Sequence, residues 1–359
     1  MGLKHTLKLA LRETYARTLF HTGLHALVNA LMPRRLMILA GHCVKPERGE
    51  WPAGQHLSPD MWIGEAQLEA IVRWFAPRYE VVSIGDGVAR LASGTGRSLL
   101  ALSFDDGYRD NARVLGPLLA RNRVGATVFL ESRPLDERRV NWSHKYFWLL
   151  GKLGHEALVE RYGAHSGPTQ TFLTLNQMIA ESRGNERYHL KRILKYDAPP
   201  EERDRALEFA FVEAGGDERV LCEELYMDWD EARGLAAQGV ELGGHTVTHA
   251  ILSKLPPEAQ RREIEGGAQS LARGLGRPPT TFAYPWGRRW DYDESSRSAA
   301  RAAGFTCAVH MHPGVNRPTA PAYDLHRVAI DGNAKLHLLV AEACGGFELL
   351  RKVGLDLAE

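Results

Sequence analysis

Three stretches of this chain hold residues whose types and spacing could do chemistry. In SFDDGYRDN (103–111), the adjacent carboxylates Asp105 and Asp106 follow an apolar run and meet Gly107, which permits a tight turn. In GGHTVTHA (243–250), His245 and His249 stand four apart directly after a Gly-Gly pair. If the residues between them take one helical turn, both imidazoles face one side and can share a cation. In FAYPWG (282–287), an apolar run enters Pro285 and Gly287, so the backbone there can come close to a ligand. Two histidines and one carboxylate make a three-ligand site with a position left for water, and the second carboxylate is then free to act as a base. The residues alone leave open which aspartate binds and which abstracts. They also leave Asp106 or Asp110 as a cap for the helix beginning near Asn111.

These groups need a scaffold that brings residues 105, 245 and 284 together. Short apolar runs supply it: RLMILAGH (35–42), YEVVSI (79–84), SLLALSF (98–104) and ATVFL (126–130) read as strands, and helical patterns occupy 63–76 and 111–123. The alternation stops over residues 131–226, a charged stretch with helical pieces around Trp142–Leu153, Leu190–Lys195 and Glu201–Ala214. It resumes at 227–239, where Asp228 and Glu231 form a capping-box start. VELGGH, TTFAYP, FTCAVH and DLHRVAI add further strands. Strand–helix repetition of this kind predicts an α/β barrel with its chemistry where strands end and loops begin. The expected organisation is an N-terminal helical segment (1–34), a barrel (35–335) interrupted by a helical insertion (131–226), and a C-terminal helical tail (336–359).

Composition narrows the function classes. Of 359 residues, 44% are hydrophobic and 25% charged, which excludes wholesale disorder. Lys+Arg total 45 against 44 Asp+Glu, so no cationic excess points to a nucleic-acid partner. Cys43, Cys222, Cys307 and Cys344 form no C-x-x-C pair and give neither a zinc ribbon nor a disulfide scaffold. In the first thirty residues Arg12, Glu13 and Arg17 interrupt any signal-like apolar core, and the expected location is cytoplasmic. Residues 4–32 read as helical, with Leu7, Leu11, Tyr15, Leu19, Leu24 and Leu27 among basic residues. Packing on the chain's own domain is one reading of that helix, and peripheral membrane contact is the sharper one.

The ordered set SFDDGY, HTVTH and FAYPWG resembles the polysaccharide deacetylases, the NodB-homology group of metal-dependent carbohydrate esterases, over residues 35–130 and 227–332. The resemblance implies a distorted (β/α)7-type barrel that hydrolyses N-acyl groups, above all N-acetyl, from amino sugars. It assigns Asp105 as the general base and Asp106, His245 and His249 as ligands of a divalent metal, with Zn²⁺ the expected ion. MILAGHCVKP (37–46) is similar to the segment that opens the exopolysaccharide deacetylases of the poly-N-acetylglucosamine type, in which the acid motif is permuted to the front. That makes His42 the acid in preference to His310, His312 or His326.

Two positions depart from the family pattern. Ala283 stands where many relatives carry an arginine that holds the base. Arg327, in DLHRV, resembles the arginine of a Leu-Pro-Arg segment in the permuted relatives and would replace it. Trp286 stands where tyrosine is common. The Tyr284 backbone N–H is expected to meet the oxyanion, and Trp286 and Arg327 to border the sugar; Arg109 and Asp110 read as exposed solvated charges ahead of sugar-lining groups. Trp142, Tyr146, Phe147 and Trp148 read as a local core ahead of a saccharide platform. The expected partner is an amino-sugar substrate, lipid-linked or nucleotide-linked. The competing functions are a deformylase on a lipid-linked amino sugar and an inactive glycan-binding module.

Overall fold

A computed structural model describes residues 3–93, 96–181, 184 and 186–352. Residues 353–359 of the expected C-terminal tail, and residues 1–2 of the N-terminal segment, lie outside the described residues. The chain forms two compact units. One comprises Met1–Arg48, Pro59–Ser132 and Tyr226–Glu359, and the other Gly49–Ser58 and Arg133–Leu225.

The first unit is built on a parallel sheet of eight strands: β1 (Leu36–Gly41), β2 (Glu80–Val82), β3 (Leu99–Phe104), β4 (Thr127–Leu130), β5 (Glu241–Gly244), β6 (Thr281–Ala283), β7 (Cys307–Val309) and β8 (Val328–Ala329). Every residue of β1, β3 and β4 is buried, as expected of parallel strands covered on both faces, and this explains their unbroken apolar sequences. Six register pairs join β1 to β3, from Leu36 with Leu99 to Gly41 with Phe104. The other edge of β3 is shared, with Leu99–Ala101 pairing β2 and Ser103–Phe104 pairing β4, which makes the barrel irregular. The order then runs β4, β5, β6, β7. Leu325 bridges Val309 of β7, while Val328 and Ala329 pair Leu39 and Ala40 of β1. Residues 325–329 therefore stitch the last edge to the first. Inside lie Leu36, Ile38, Ala101, Phe129, Ala283, Val309 and Leu325.

Local chemistry moves three expected boundaries. The strand expected over 79–84 stops at Val82, because Ser83 accepts the Asp86 N–H and caps a helix, Ile84–Ala92. The helix expected over 4–32 is two, Leu3–His21 and Leu24–Leu31, parted at Gly23 with φ 75°. The helix expected over 111–123 opens with a π-helical turn, Asn111–Leu115, before Gly116–Asn122. Asp228 does cap Trp229–Ala237 with a complete capping box to Glu231.

The second unit is helical: Trp142–Ser166, Gln170–Glu181, Glu186–Tyr196, Pro200–Glu213 and Glu218–Leu225. Tyr146, Phe147, Tyr162, Leu190, Leu207 and Phe211 are buried in its core. Lys145, also buried, pairs with Glu218 at 2.8 Å and with Glu208. Tyr146 and Phe147 are thus core residues, with Trp148 edge-on to Phe211 at 4.8 Å. Removing the Phe211 ring leaves a cavity that this small core cannot easily refill. Phe211→Ala is expected to destabilise the unit by about 3–5 kcal/mol, read as loss of hydrogen-exchange protection confined to residues 142–225.

Candidate active site

Asp106 sits just past β3 in a left-handed turn, with φ 72° followed by 78° at Gly107. A Cβ on Gly107 would lie 2.7 Å from Leu130 Cδ2, so the turn needs glycine for space as well as for its torsion. The Asp106 Oδ1 lies 3.3 Å from His245 Nε2 and 3.2 Å from His249 Nε2. All three residues are buried, and one potential ligand atom from each lies within 4.8 Å of the others. Nitrogen and oxygen ligands at zinc-like bond lengths sit about 3.3 Å apart along a tetrahedral edge. His245 Nδ1 lies 2.8 Å from Ala283 O and donates to it, which turns the Nε2 lone pair inward. Asp106 Oδ1 and His245 Nε2 are buried without a hydrogen-bond partner, as expected of groups shaped for a cation. Burial raises the Asp106 pKa, but the neighbouring imidazoles of His249 and His245 outweigh it and hold the carboxyl well below its ordinary value. This donor set fits a divalent metal ion.

The histidine loop is not the helical turn the spacing suggested. Thr246 and His249 have φ 67° and 57°, and the His249 N–H donates to Thr246 Oγ1. Glu263, from the helix Pro257–Leu275, imposes this shape. Its carboxylate accepts the Val247 and Thr248 N–H groups at 3.1 and 2.9 Å and the Thr248 hydroxyl at 2.8 Å. A Cβ on Gly267 would meet the Thr246 carbonyl carbon at 3.0 Å, so that helix needs glycine where the loop crosses it. Among the described residues six non-glycines have positive φ, and four of them, Asp106, Thr246, His249 and Trp286, are at this site. Such strain persists only where surrounding contacts fix it.

Beside the cluster, Asp105 is held by Arg327 in a two-pronged pair, Nη1 to Oδ1 at 2.6 Å and Nη2 to Oδ2 at 2.8 Å. Arg327 is fully buried and its Nε donates to His310 O at 3.2 Å. Thus Arg327 occupies the holding position for which Ala283 has no side chain. Burial pushes the Asp105 pKa up, and Arg327 followed by His245 brings it below the usual value. His42, the first residue after β1, is close enough for its charge to act on Asp105, Asp106 and His249. The Tyr108 hydroxyl hydrogen-bonds Asp106, and its ring stacks on Tyr226 at 5.3 Å. Tyr226 in turn donates to buried Glu131.

Several expected roles change. The Tyr284 N–H is not available to an oxyanion, because Tyr284 still belongs to the ladder and donates to Val309 O at 3.1 Å. Its ring stacks on Tyr292 at 4.2 Å and its hydroxyl donates to Tyr323 O, both in the core. Trp286 props His249: its indole N–H donates to His249 O at 3.3 Å and its ring lies 4.9 Å from the imidazole. Arg109 pairs with Glu231 at 3.1 Å. Buried Asp110 accepts the Val44 N–H, so it ties backbone and is not the exposed solvated charge expected. His310 and His312 lie ring to ring at 4.1 Å, with His326 4.7 Å from His310. Burial, then these neighbours, push the His310 pKa down to about 3.

The polysaccharide deacetylase family model matches residues 92–308, and the chain belongs to that family. It is 28% identical over 101 residues to YxkH of Bacillus subtilis, a protein assigned to the polysaccharide deacetylases. That match takes in 28% of this chain and 35% of YxkH, so the chain spans about a third of that relative's length. The fold is similar to the deacetylase PplD of Streptococcus pyogenes, solved with acetate (TM-score 0.56, 14% identity, 87% of this chain and 99% of that one). It is also similar to a de-N-acetylase of Aggregatibacter actinomycetemcomitans (TM-score 0.53, 16% identity, 85% and 98%).

The buried pair gives a direct test of the site's construction. Arg327→Met strands a buried carboxylate and is expected to cost about 3–5 kcal/mol in chemical denaturation. In the Asp105→Asn/Arg327→Met double variant that stranded charge is gone, and part of the loss should return. Equal losses in the single and double variants would contradict the pairing.

Proposed function

We propose that this protein is a metal-dependent N-deacetylase acting on an amino sugar within a glycan. The observation that carries the reading is the adjacency of two differently engaged carboxylates. Asp106 faces two imidazole nitrogens, while Asp105 is turned away onto Arg327. Two carboxylates in one pocket can then divide ligation from proton abstraction.

Asp106, His245 and His249 would hold the cation, and their mixed nitrogen and oxygen donors suit Zn²⁺. When bound, such an ion supplies Lewis acidity and acidifies a water molecule. Asp105 accepts the proton of the attacking water, and Arg327 fixes the direction of its lone pairs. His42 delivers a proton to the departing amine nitrogen, without which the amide bond would re-form. Trp286 and Tyr108 keep His249 and Asp106 in place. An acid directly after the first strand and an arginine just ahead of the last favour the permuted, poly-N-acetylglucosamine type of deacetylase.

The metal and base roles separate by mutation. His245→Ala should lose both the bound metal, measured by inductively coupled plasma mass spectrometry, and acetate release from N-acetylglucosamine oligomers. Asp105→Asn should keep the metal and lose activity by about 10³-fold or more. A metal-free wild type that still released acetate would overturn the reading, and release of formate from matched N-formyl sugars in place of acetate would change the acyl group. His42→Ala should keep the metal and lower kcat by about 10²–10⁴-fold, whereas His312→Ala should leave kcat nearly unchanged. The reverse pattern would return the acid to the histidines after β7.

A further inference from the structure

The two imidazoles that face Asp106 are held in different ways. His245 is fixed by the sheet: its backbone N–H donates to Leu130 O at 3.0 Å and its Nδ1 donates to Ala283 O. The His249 ring has no such acceptor, and its Nδ1 is buried with no hydrogen bond among the described residues. An imidazole oriented through its second nitrogen keeps its aim when the chain beside it shifts. His249 must take its aim from the backbone that carries it. That backbone is strained, with φ 67° at Thr246 and 57° at His249 itself. Trp286 holds the His249 carbonyl and flanks its ring, which leaves residues 246–248 to be fixed from elsewhere.

One face of the helix Pro257–Leu275 fixes them. Glu263 accepts the Val247 and Thr248 N–H groups on Oε2 and the Thr248 hydroxyl on Oε1. These are all the hydrogen bonds its side chain makes among the described residues, and all go to this loop. One turn further on, a Cβ on Gly267 would also meet Thr246 O at 3.1 Å, and one on Gly266 would lie 3.1 Å from Val247 Cγ2. Positions 263, 266 and 267 share a side of the helix. A carboxylate committed to neutral backbone donors, beside two glycines that let the loop come close, forms a mould for residues 246–248.

We propose that Glu263 is a positioning residue for the cation site: by moulding residues 246–248 it aims His249 Nε2 at Asp106 and sets how tightly a divalent metal is held. This rests on the reading of Asp106, His245 and His249 as metal ligands, and does not depend on which acyl group or sugar the enzyme takes. Two of the ligands stand directly beyond β3 and β5, where the sheet fixes them. The third is presented by a loop whose shape a separate helix dictates. With the mould removed, Thr246 and His249 are free to leave the left-handed region, and Nε2 no longer stays 3.2 Å from the Asp106 oxygen. A cation held by two aimed ligands is bound less tightly than one held by three.

The test is the zinc affinity of the metal-free full chain, measured by competition with a chelating dye. Glu263→Ala should bind zinc about 10–100-fold more weakly than wild type. Glu263→Gln keeps an oxygen for the two N–H groups and gains an amide that can donate to the Thr248 hydroxyl, so it should restore most of the affinity. A merely structural glutamate would lower the unfolding midpoint of Glu263→Ala and leave its zinc affinity unchanged, and that result would overturn the proposal. So would a Gln variant as weak as the Ala variant, since charge and not the shape of the loop would then be acting. Thr248→Val removes only the hydroxyl bond and should weaken zinc binding about threefold or more. Wild-type affinity in that variant would decide against the proposal even where Glu263→Ala failed to fold. Wild type that takes up no zinc would overturn this proposal and the metal reading together, whereas zinc-binding wild type with unaffected variants would overturn this proposal alone.

Discussion

The fully buried Arg327–Asp105 pair ties the closing of the barrel to the chemistry at its mouth. A buried guanidinium and carboxylate each carry a large desolvation cost, which is offset only by good geometry and further hydrogen bonds. Here the pairing is two-pronged, and the remaining guanidinium contacts go to Ser103 Oγ and His310 O. Residues 325–329 pair with both β7 and β1, so the strand that completes the ring also delivers the arginine. The histidines behind it fit this electrostatic arrangement. His310, with its pKa pushed down to about 3, stays neutral at ordinary pH and adds no positive charge beside Arg327.

The same logic places the other groups. In a parallel barrel every strand runs the same way, so the residues just beyond the strands meet at one end. His42 follows β1, Asp105 follows β3, Glu131 follows β4, His245 follows β5, and Tyr284 and His310 follow β6 and β7. Turning a side chain inward at such a point means leaving strand geometry at once. Asp106 does so through a left-handed torsion, as do Thr246, His249 and Trp286 a few residues along their loops. That backbone strain is balanced by contacts from behind: Glu263 on the histidine loop, Trp286 on His249, Ala283 O on His245.

Sequence pattern and structure agree where the signal is local. Buried parallel strands have no polar face, so β1, β3 and β4 stand out as apolar runs; Asp-Asp sits at the end of β3, and His-x-x-x-His at the end of β5. What escaped was long-range. Glu263 lies fourteen positions after His249 on an ordinary charged helix, and nothing in its neighbours marks it as the anchor of the loop. Without it, the four-residue histidine spacing reads as a helical turn. The Tyr284 N–H serves the sheet and not an oxyanion because the strand makes one more ladder bond there, a matter of register that side-chain pattern does not encode. Gly23 divides a helix whose leucine periodicity spans the break nearly intact.

The stretch between β4 and β5 shows how a barrel can fasten the two ends of a long insertion. Closing a longer loop costs little more than closing a shorter one, provided its ends are held. The chain leaves the barrel at Ser132, whose N–H donates to Thr246 O, and returns at Tyr226, which forms an antiparallel bridge with Tyr108. Both fastenings reach residues beside the Asp106–His245–His249 cluster, and Tyr226 also donates to Glu131 at the exit. Exit and return are thus joined through Glu131, Tyr226 and Tyr108 to the Asp106 carboxylate.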